Sequence, residues 1–236
     1  MISCTKKQKN DLQEGHVHGN VNEIIVNRYK AETKFGEIVK DKIQLHTVST
    51  FNKAGNTEAS DNTWYYGSAD SAEVHNNKFS FQYDDKGHNN KIIIVNKPTE
   101  YTLKKYNGEL LVEVDDFESG KLSSKAKYIY DSGNLLSEIN RYDANGKFTG
   151  KEKFSYANDL VSQLQVYKAN GELNFKYGLT YDDNGNTLTE KQISGEYPFS
   201  HTFKYSNIDE NGNWLKCISY TNGKPETYTE RIIKYR

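Results

Sequence analysis

Of the 236 residues only two are cysteine and three are proline. Cys4 and Cys217 lie far apart in the chain, and two cysteines make no disulfide framework. Long apolar runs are missing as well. The longest, Ile92-Ile93-Ile94-Val95, has the length of a strand and falls far short of the ~20 residues of a membrane-spanning helix. Neither sign of charge is in excess, with 31 Lys and Arg against 32 Asp and Glu, which argues against nucleic acid as a partner. The nucleophile motif Gly-x-Ser-x-Gly, the metalloprotease motif His-Glu-x-x-His and a Gly-rich phosphate loop are all absent. Hydrophobic residues reach only 35% and the mean hydropathy is −0.89. What is abundant is rings: 18 Tyr and 10 Phe. Disordered chains are poor in aromatics, so this one folds, and rings supply much of its buried surface.

Turn signals recur at a fixed step. Gly108, Gly120, Gly133, Gly146, Asp159 as a glycine substitute, Gly171 and Gly185 follow one another every 12–14 residues, and Asp209-Glu210-Asn211-Gly212 and Asn222-Gly223 continue the series. Asn-Gly and Asp/Asn-x-Gly tolerate positive φ cheaply, so they make tight turns. One strand of eight or nine residues fits between turns, and strands joined so tightly pair antiparallel. The turns alternate between two kinds, which gives a hairpin unit of about 25 residues. Lys34-Phe35-Gly36, Asn52 to Gly55 and Asp84 to Gly87 extend the same frame at wider spacing towards the N-terminus.

Alternation within the strands assigns their faces. Leu173, Phe175, Tyr177, Leu179 and Tyr181 share one face, with Asn174, Lys176, Gly178 and Thr180 on the other. Phe199, His201, Phe203 and Tyr205 repeat the pattern. The expected fold is all-β: an antiparallel meander of hairpins, some sixteen strands, in one extended, twisted or curled sheet with an aromatic face and a wet face. Exposed end strands of such a sheet offer edges for pairing between chains. Residues 1–20 read as an address segment and flexible tether, and 21–236 as a single repeat domain.

Tyr83-Asp84-Asp85-Lys86-Gly87, Tyr130 to Leu135, Tyr142 to Phe148 and Tyr181 to Leu188 resemble the YD-repeat (RHS-like) family, whose unit is a Tyr-Asp-x-x-Gly-x-Leu turn followed by a strand ending in Tyr. The stretch from Asp209 to Lys216, with Tyr220 to Pro225, is similar to the ending of small YD-repeat lipoproteins of Bacteroidetes-type bacteria. The likeness runs over most of 34–236. It implies a hairpin-repeat protein of the cell envelope. Large RHS proteins wrap such repeats around a toxin, and this chain is too short to enclose one, so the resemblance bears on the fold and not on a toxin role.

Ser3-Cys4 followed by a polar segment looks like the end of a bacterial lipoprotein signal, with Cys4 as the lipid-attachment residue. Other candidates are weaker. His16-Val17-His18 supplies two metal ligands where a zinc site needs three or four, and His46, His75, His88 and His201 are scattered. Asn207 to Gly212 copies the first half of a calcium loop, but Ile218 stands where the bidentate Glu belongs, so it reads as a turn. Asp84-Asp85, Asp115-Asp116 and Asp182-Asp183 suggest a hydrolytic dyad only at first sight, because adjacent strand residues point to opposite faces. Cys217 reads as a small packing residue. Trp64-Tyr65-Tyr66 is the aromatic cluster near a turn, a possible platform for a sugar or a protein partner. No cofactor and no metal is implied. The reading is a non-enzymatic, lipid-anchored binding or scaffold module of the envelope, its ligand a glycan or an envelope protein. The alternatives are a polysaccharide hydrolase and a purely structural spacer.

Overall fold

A computed structural model of the chain describes residues 9–67, 73–195 and 198–236. One short helix, α1 (Asp11–Glu14), precedes sixteen strands. The first eight are β1 (Val21–Lys34), β2 (Glu37–Phe51), β3 (Thr57–Tyr66), β4 (Glu73–Tyr83), β5 (Asn89–Ile94), β6 (Tyr101–Asn107), β7 (Leu110–Glu118) and β8 (Lys121–Tyr130). The second eight are β9 (Leu136–Asp143), β10 (Phe148–Ala157), β11 (Leu160–Lys168), β12 (Leu173–Tyr181), β13 (Thr187–Ser194), β14 (Ser200–Ile208), β15 (Trp214–Thr221) and β16 (Lys224–Tyr235). Each strand pairs antiparallel with its neighbour in sequence, and β16 pairs with β1 from Ile233↔Ile24 to Tyr228↔Tyr29.

The meander of hairpins is therefore present, but it is a closed sixteen-strand barrel and not an open or curled sheet. Strand twist bends a long meander round on itself, and closure gives the edge N–H and C=O groups of β1 and β16 each other as partners. Among the described residues, β1 and β16 thus leave no free sheet edge of the kind expected for pairing between chains.

The turns show why the repeat reads so clearly. Asn52, Asp84, Asp131, Asp143, Asp182 and Asp209 each accept, on one side-chain oxygen, the N–H groups two and four residues on, at 2.8–3.1 Å. The fourth residue of the turn takes positive φ, which glycine does at no steric cost. In the third of these turns the strained position is Asn134 (φ 61) and not Gly133, one residue later than the glycine spacing suggests. The acidic pairs belong to this turn chemistry or divide between faces. Asp116 accepts from Thr102 and Ser124 inside the barrel, while Asp115 meets Lys105 and Lys125 outside.

Following the register around the ring separates two faces. Phe79, Phe81, Tyr128, Phe154, Tyr177 and Phe203 face the lumen, with all three arginines borne on strands: Arg28, Arg141 and Arg231. These rings stay only partly buried, because a wall of sixteen strands is too wide for its side chains to fill. A register shift opposite Tyr167 takes Leu173 off the ring-bearing face and leaves it exposed. From β4 to β16 every even-numbered strand sends a lysine outward: Lys78, Lys105, Lys125, Lys151, Lys176, Lys204 and Lys234. Glu and Asp answer several of them, as in Lys105–Glu113 at 2.5 Å and Lys151–Glu138 at 3.2 Å. Others lie over outward rings, as Lys91 over Tyr101 and Lys216 over Tyr228, at 4.7 and 4.5 Å from the ring centres. An outward lysine in hydrocarbon costs about 2–4 kcal/mol at mid-membrane, so this wall is built to face water.

A ladder of tyrosine hydroxyls staples the wall from within. Tyr83, Tyr106, Tyr130, Tyr156, Tyr181 and Tyr205, one on each of six alternate strands, donate to the carbonyls of Thr57, Asn89, Leu111, Leu136, Val161 and Thr187 on the preceding strand, at 2.7–3.0 Å. They lie towards the end where β1 starts and β16 finishes. At the opposite end β1 and β2 run past their neighbours as a free hairpin tipped by Phe35, which is fully exposed at φ 53.

Candidate functional site

Residues 9–20 are not a loose tether. They form a strap across the mouth at the terminal end. Asn10 caps α1 in a reciprocal box with Gln13, and its side chain donates to Ala54 O at 2.7 Å. Asp11 accepts from Thr57 N at 2.8 Å and from the Tyr83 hydroxyl at 3.2 Å. His16 lies over Gly185, where an added Cβ would come 2.5 Å from its ring. The Asn213 amide then holds His18 by both main-chain groups, and Leu12, Val17, Val21, Ile24 and Phe51 close a small apolar core beneath. His16 thus serves the strap by its ring and His18 by its main chain, at different turns. Residues 1–8, and with them Cys4 as lipid-attachment residue, lie outside the described residues.

Between the strap and the wall from β4 to β9 lies a cavity of about 990 Å³. The strap contributes Lys9, Asp11 and Glu14; the wall contributes Lys104 and Tyr106 of β6, Tyr128 and Tyr130 of β8, and Tyr83, Leu111 and Leu136. Stapled at their hydroxyls, the rings of Tyr83, Tyr106 and Tyr130 lie along the wall. The fully buried His88 stacks on Tyr106, ring centres 4.5 Å apart, and its Nδ1 is 2.9 Å from Asp84 Oδ2. Burial pushes the Tyr106 hydroxyl up to about 12, with Glu14 and Asp11 adding to the effect. Burial, then the neighbouring Asp11, raises the Glu14 carboxyl above the usual range. Burial lowers the Lys104 ammonium, against the pull of Asp11 and Glu14. Among the described residues neither Glu14 nor Lys104 has an opposite charge within 4.0 Å, although both line this one cavity.

The lumen holds a second, smaller site towards the far end. Strand alternation divides the Trp64-Tyr65-Tyr66 cluster: Trp64 and Tyr66 face inward with Glu73, His75 and Asn77 around a cavity of about 550 Å³, while Tyr65 faces outward. The three rings are thus not one platform. Tyr66 and His75 meet edge to face, centres 5.4 Å apart. His201 lies in the aromatic lumen face against Phe199, at 4.6 Å. Cys217 is buried in the same wall, its thiol pushed up to about 11 by burial. Arg231, lowered to about 10 by burial, covers the Trp214 ring at 3.4 Å. Asp209, third residue of the calcium-like sequence, spends its carboxylate on Asn211, Asn213 and Tyr235.

Sequence reasoning missed the strap-end cavity, although its tyrosines were visible. Tyr83, Tyr106, Tyr130, Tyr156, Tyr181 and Tyr205 recur every 23–26 residues, and that period says they share one level of one face. Glu14 and Asp11 carried no such signal, because their place depends on where the strap lands.

No protein-family model matches the chain, and no curated protein does. Among solved structures, a porin-like protein from Bacteroides uniformis is similar over 92% of this chain and 99% of its own, with a TM-score of 0.62 and 11% identity. A porin-like protein from Bacteroides vulgatus matches 92% of this chain at 12% identity with a TM-score of 0.25, and a TcdB2-TccC3-TEV structure matches 80% of it, and 15% of its own chain, at 8% identity and 0.23. The first likeness shows the all-β barrel fold. The resemblance to YD-repeat proteins rests on the turn motifs alone and is a likeness of sequence pattern.

Proposed function

We propose that this protein is a non-enzymatic binding vessel of the cell envelope, which holds a glycan or another elongated ligand against its ring-lined lumen. The observation that carries this is the distribution of side chains across the wall: Phe79, Phe81, Tyr128, Phe154, Tyr177 and Phe203 face inward with the strand-borne arginines, and every even-numbered strand from β4 to β16 sends a lysine outward. A wide lumen with exposed ring faces offers stacking surfaces, and Arg28, Arg141 and Arg231 add donors for hydroxyl or acidic groups. The envelope address joins the lipoprotein-like Ser3-Cys4 to the barrel likeness. Acylation at Cys4 would turn the strapped end towards the membrane.

Trp64 faces the lumen near one end, and Trp214 packs against Tyr205 near the other, at 5.2 Å. Titration with a panel of neutral and acidic oligosaccharides, followed by tryptophan fluorescence, tests the reading. A saturable change that Trp64→Phe or Trp214→Phe selectively removes supports it. A flat response over the whole panel, with calorimetry equally silent, rejects glycan binding.

A further inference from the structure

We infer that the strap-end cavity is a site for a zwitterionic group, one ammonium and one phosphate or carboxylate a few ångströms apart, carried on an apolar or sugar body. The inference rests on the vessel reading and names the ligand chemistry of one part of its lumen. Glu14 of the strap and Lys104 of β6 line the same cavity, where each attracts the other across the space and neither closes on an opposite charge within 4.0 Å among the described residues. Opposite charges held apart across a cavity leave room for a ligand that bridges them.

The two charges differ in sign and belong to different elements. A ligand with a single charge would answer one and leave the other exposed to repulsion or still unpaired. A zwitterion answers both. Its ammonium end meets Glu14, with Asp11 beside it, and ring faces nearby: Tyr128, and Tyr106, whose other face is taken by His88. Its anionic end meets Lys104. Leu111 and Leu136 line the wall between for the uncharged body. The cavity, about 990 Å³, is of the size that takes ligands of this kind. Because the hydroxyls of Tyr106 and Tyr130 are fixed to strand carbonyls at 3.0 and 2.9 Å, the rings keep their place before a ligand arrives.

The chemistry is shared by a phospholipid headgroup and by the free ends of an amino acid or short peptide. Calorimetry on the full chain separates them, with phosphocholine and phosphoethanolamine in one arm, leucine and dileucine in the other, and inorganic phosphate and tetramethylammonium as single-charge controls. At least one zwitterion should bind tenfold or more tightly than either control. Lys104→Met should cut that preference tenfold and bring the zwitterion down to tetramethylammonium, and Glu14→Gln should bring it down to phosphate. Tyr128→Leu, which leaves both charges in place, should weaken the ammonium-bearing ligands and spare phosphate. Far-ultraviolet dichroism and the melting temperature check that each variant is folded. Zwitterions that bind no better than the controls overturn the proposal, and so does binding that survives both charge substitutions. Oligosaccharide binding seen at Trp64 in the same preparations would show that such a failure is confined to this site and leaves the vessel reading standing.

Discussion

The side-chain amide of Asn213 pairs with the main chain of His18 as a strand neighbour would, accepting its N–H at 2.8 Å and donating to its carbonyl at 2.9 Å. The same amide donates to the Tyr235 hydroxyl at 2.8 Å, and the residue is 2% exposed. Replacing it strands several buried polar groups at once. Asn213→Ala should cost about 2–4 kcal/mol in urea unfolding and make residues 9–20 the first target of a protease. Asn213→Asp should cost more, since it faces Asp209 and has nothing to donate.

Two glycines separate backbone strain from simple crowding. Gly150 lies at φ 154, and a Cβ there would come 2.6 Å from Tyr167 O, the backbone of the adjoining strand. Gly36, at φ 85, has nothing within 4 Å. Gly36→Ala should cost about 1–2 kcal/mol, while Gly150→Ala should cost more and disturb β10–β11 pairing. Equal losses for the two in denaturant titrations would contradict this placement of β11.

Glu113 lies on the outer wall between Lys105 and Lys125, 2.5 and 3.1 Å from their Nζ atoms. The hydrogen bond from Lys105 leads in holding its carboxyl below the usual range; burial opposes and Lys125 assists. A carboxyl lowered in the folded state adds stability above its unfolded value, about pH 4.3, and loses it as pH falls through the folded value. Melting temperatures between pH 6 and pH 3 should therefore fall less steeply for Glu113→Gln than for the unaltered protein.

The outward lysines predict behaviour unlike that of a pore. With Cys4 replaced by alanine, the protein should partition into the aqueous phase of a detergent separation and give no conductance steps in planar bilayers. Regular steps would mean that the outward assignment of Lys125, Lys151 and Lys204 is wrong, since each would have to cross hydrocarbon at about 2–4 kcal/mol.

Much of this architecture is legible in the chain. The Asp-x-x-Gly turns mark the hairpins, and the alternation of Phe175, Tyr177, Leu179 and Tyr181 assigns their faces, because both signals are local. Closure is not legible. It rests on contacts such as Val26↔Arg231 between strands at opposite ends of the chain, for which sequence has no short-range mark. The candidate site fared less well for the same reason. Trp64, Tyr65 and Tyr66 looked like one cluster because they are adjacent, and adjacency within a strand is what places Tyr65 on the other side of the wall. Glu14 and Lys104 meet one cavity only because the strap is tied down at Gly55 and Asn213. A faint local sign of that anchoring exists in Asn10-Asp11-Leu12-Gln13, a helix cap with one apolar residue in an otherwise polar segment.

The pairing of β1 with β16 also changes what the repeats are as units of stability. In an open array each terminal unit can fray while the rest persists. Here the Arg236 N–H reaches Asn20 O at 2.9 Å, so the start of β1 and the end of β16 lie side by side and the hairpins form a ring without a first or last member. Opening the ring at any seam exposes two edges together, so unfolding should be all-or-none despite the repetitive sequence. The same adjacency means that β16 can be joined to β1 by a short linker and new ends cut at another hairpin turn, leaving the wall intact.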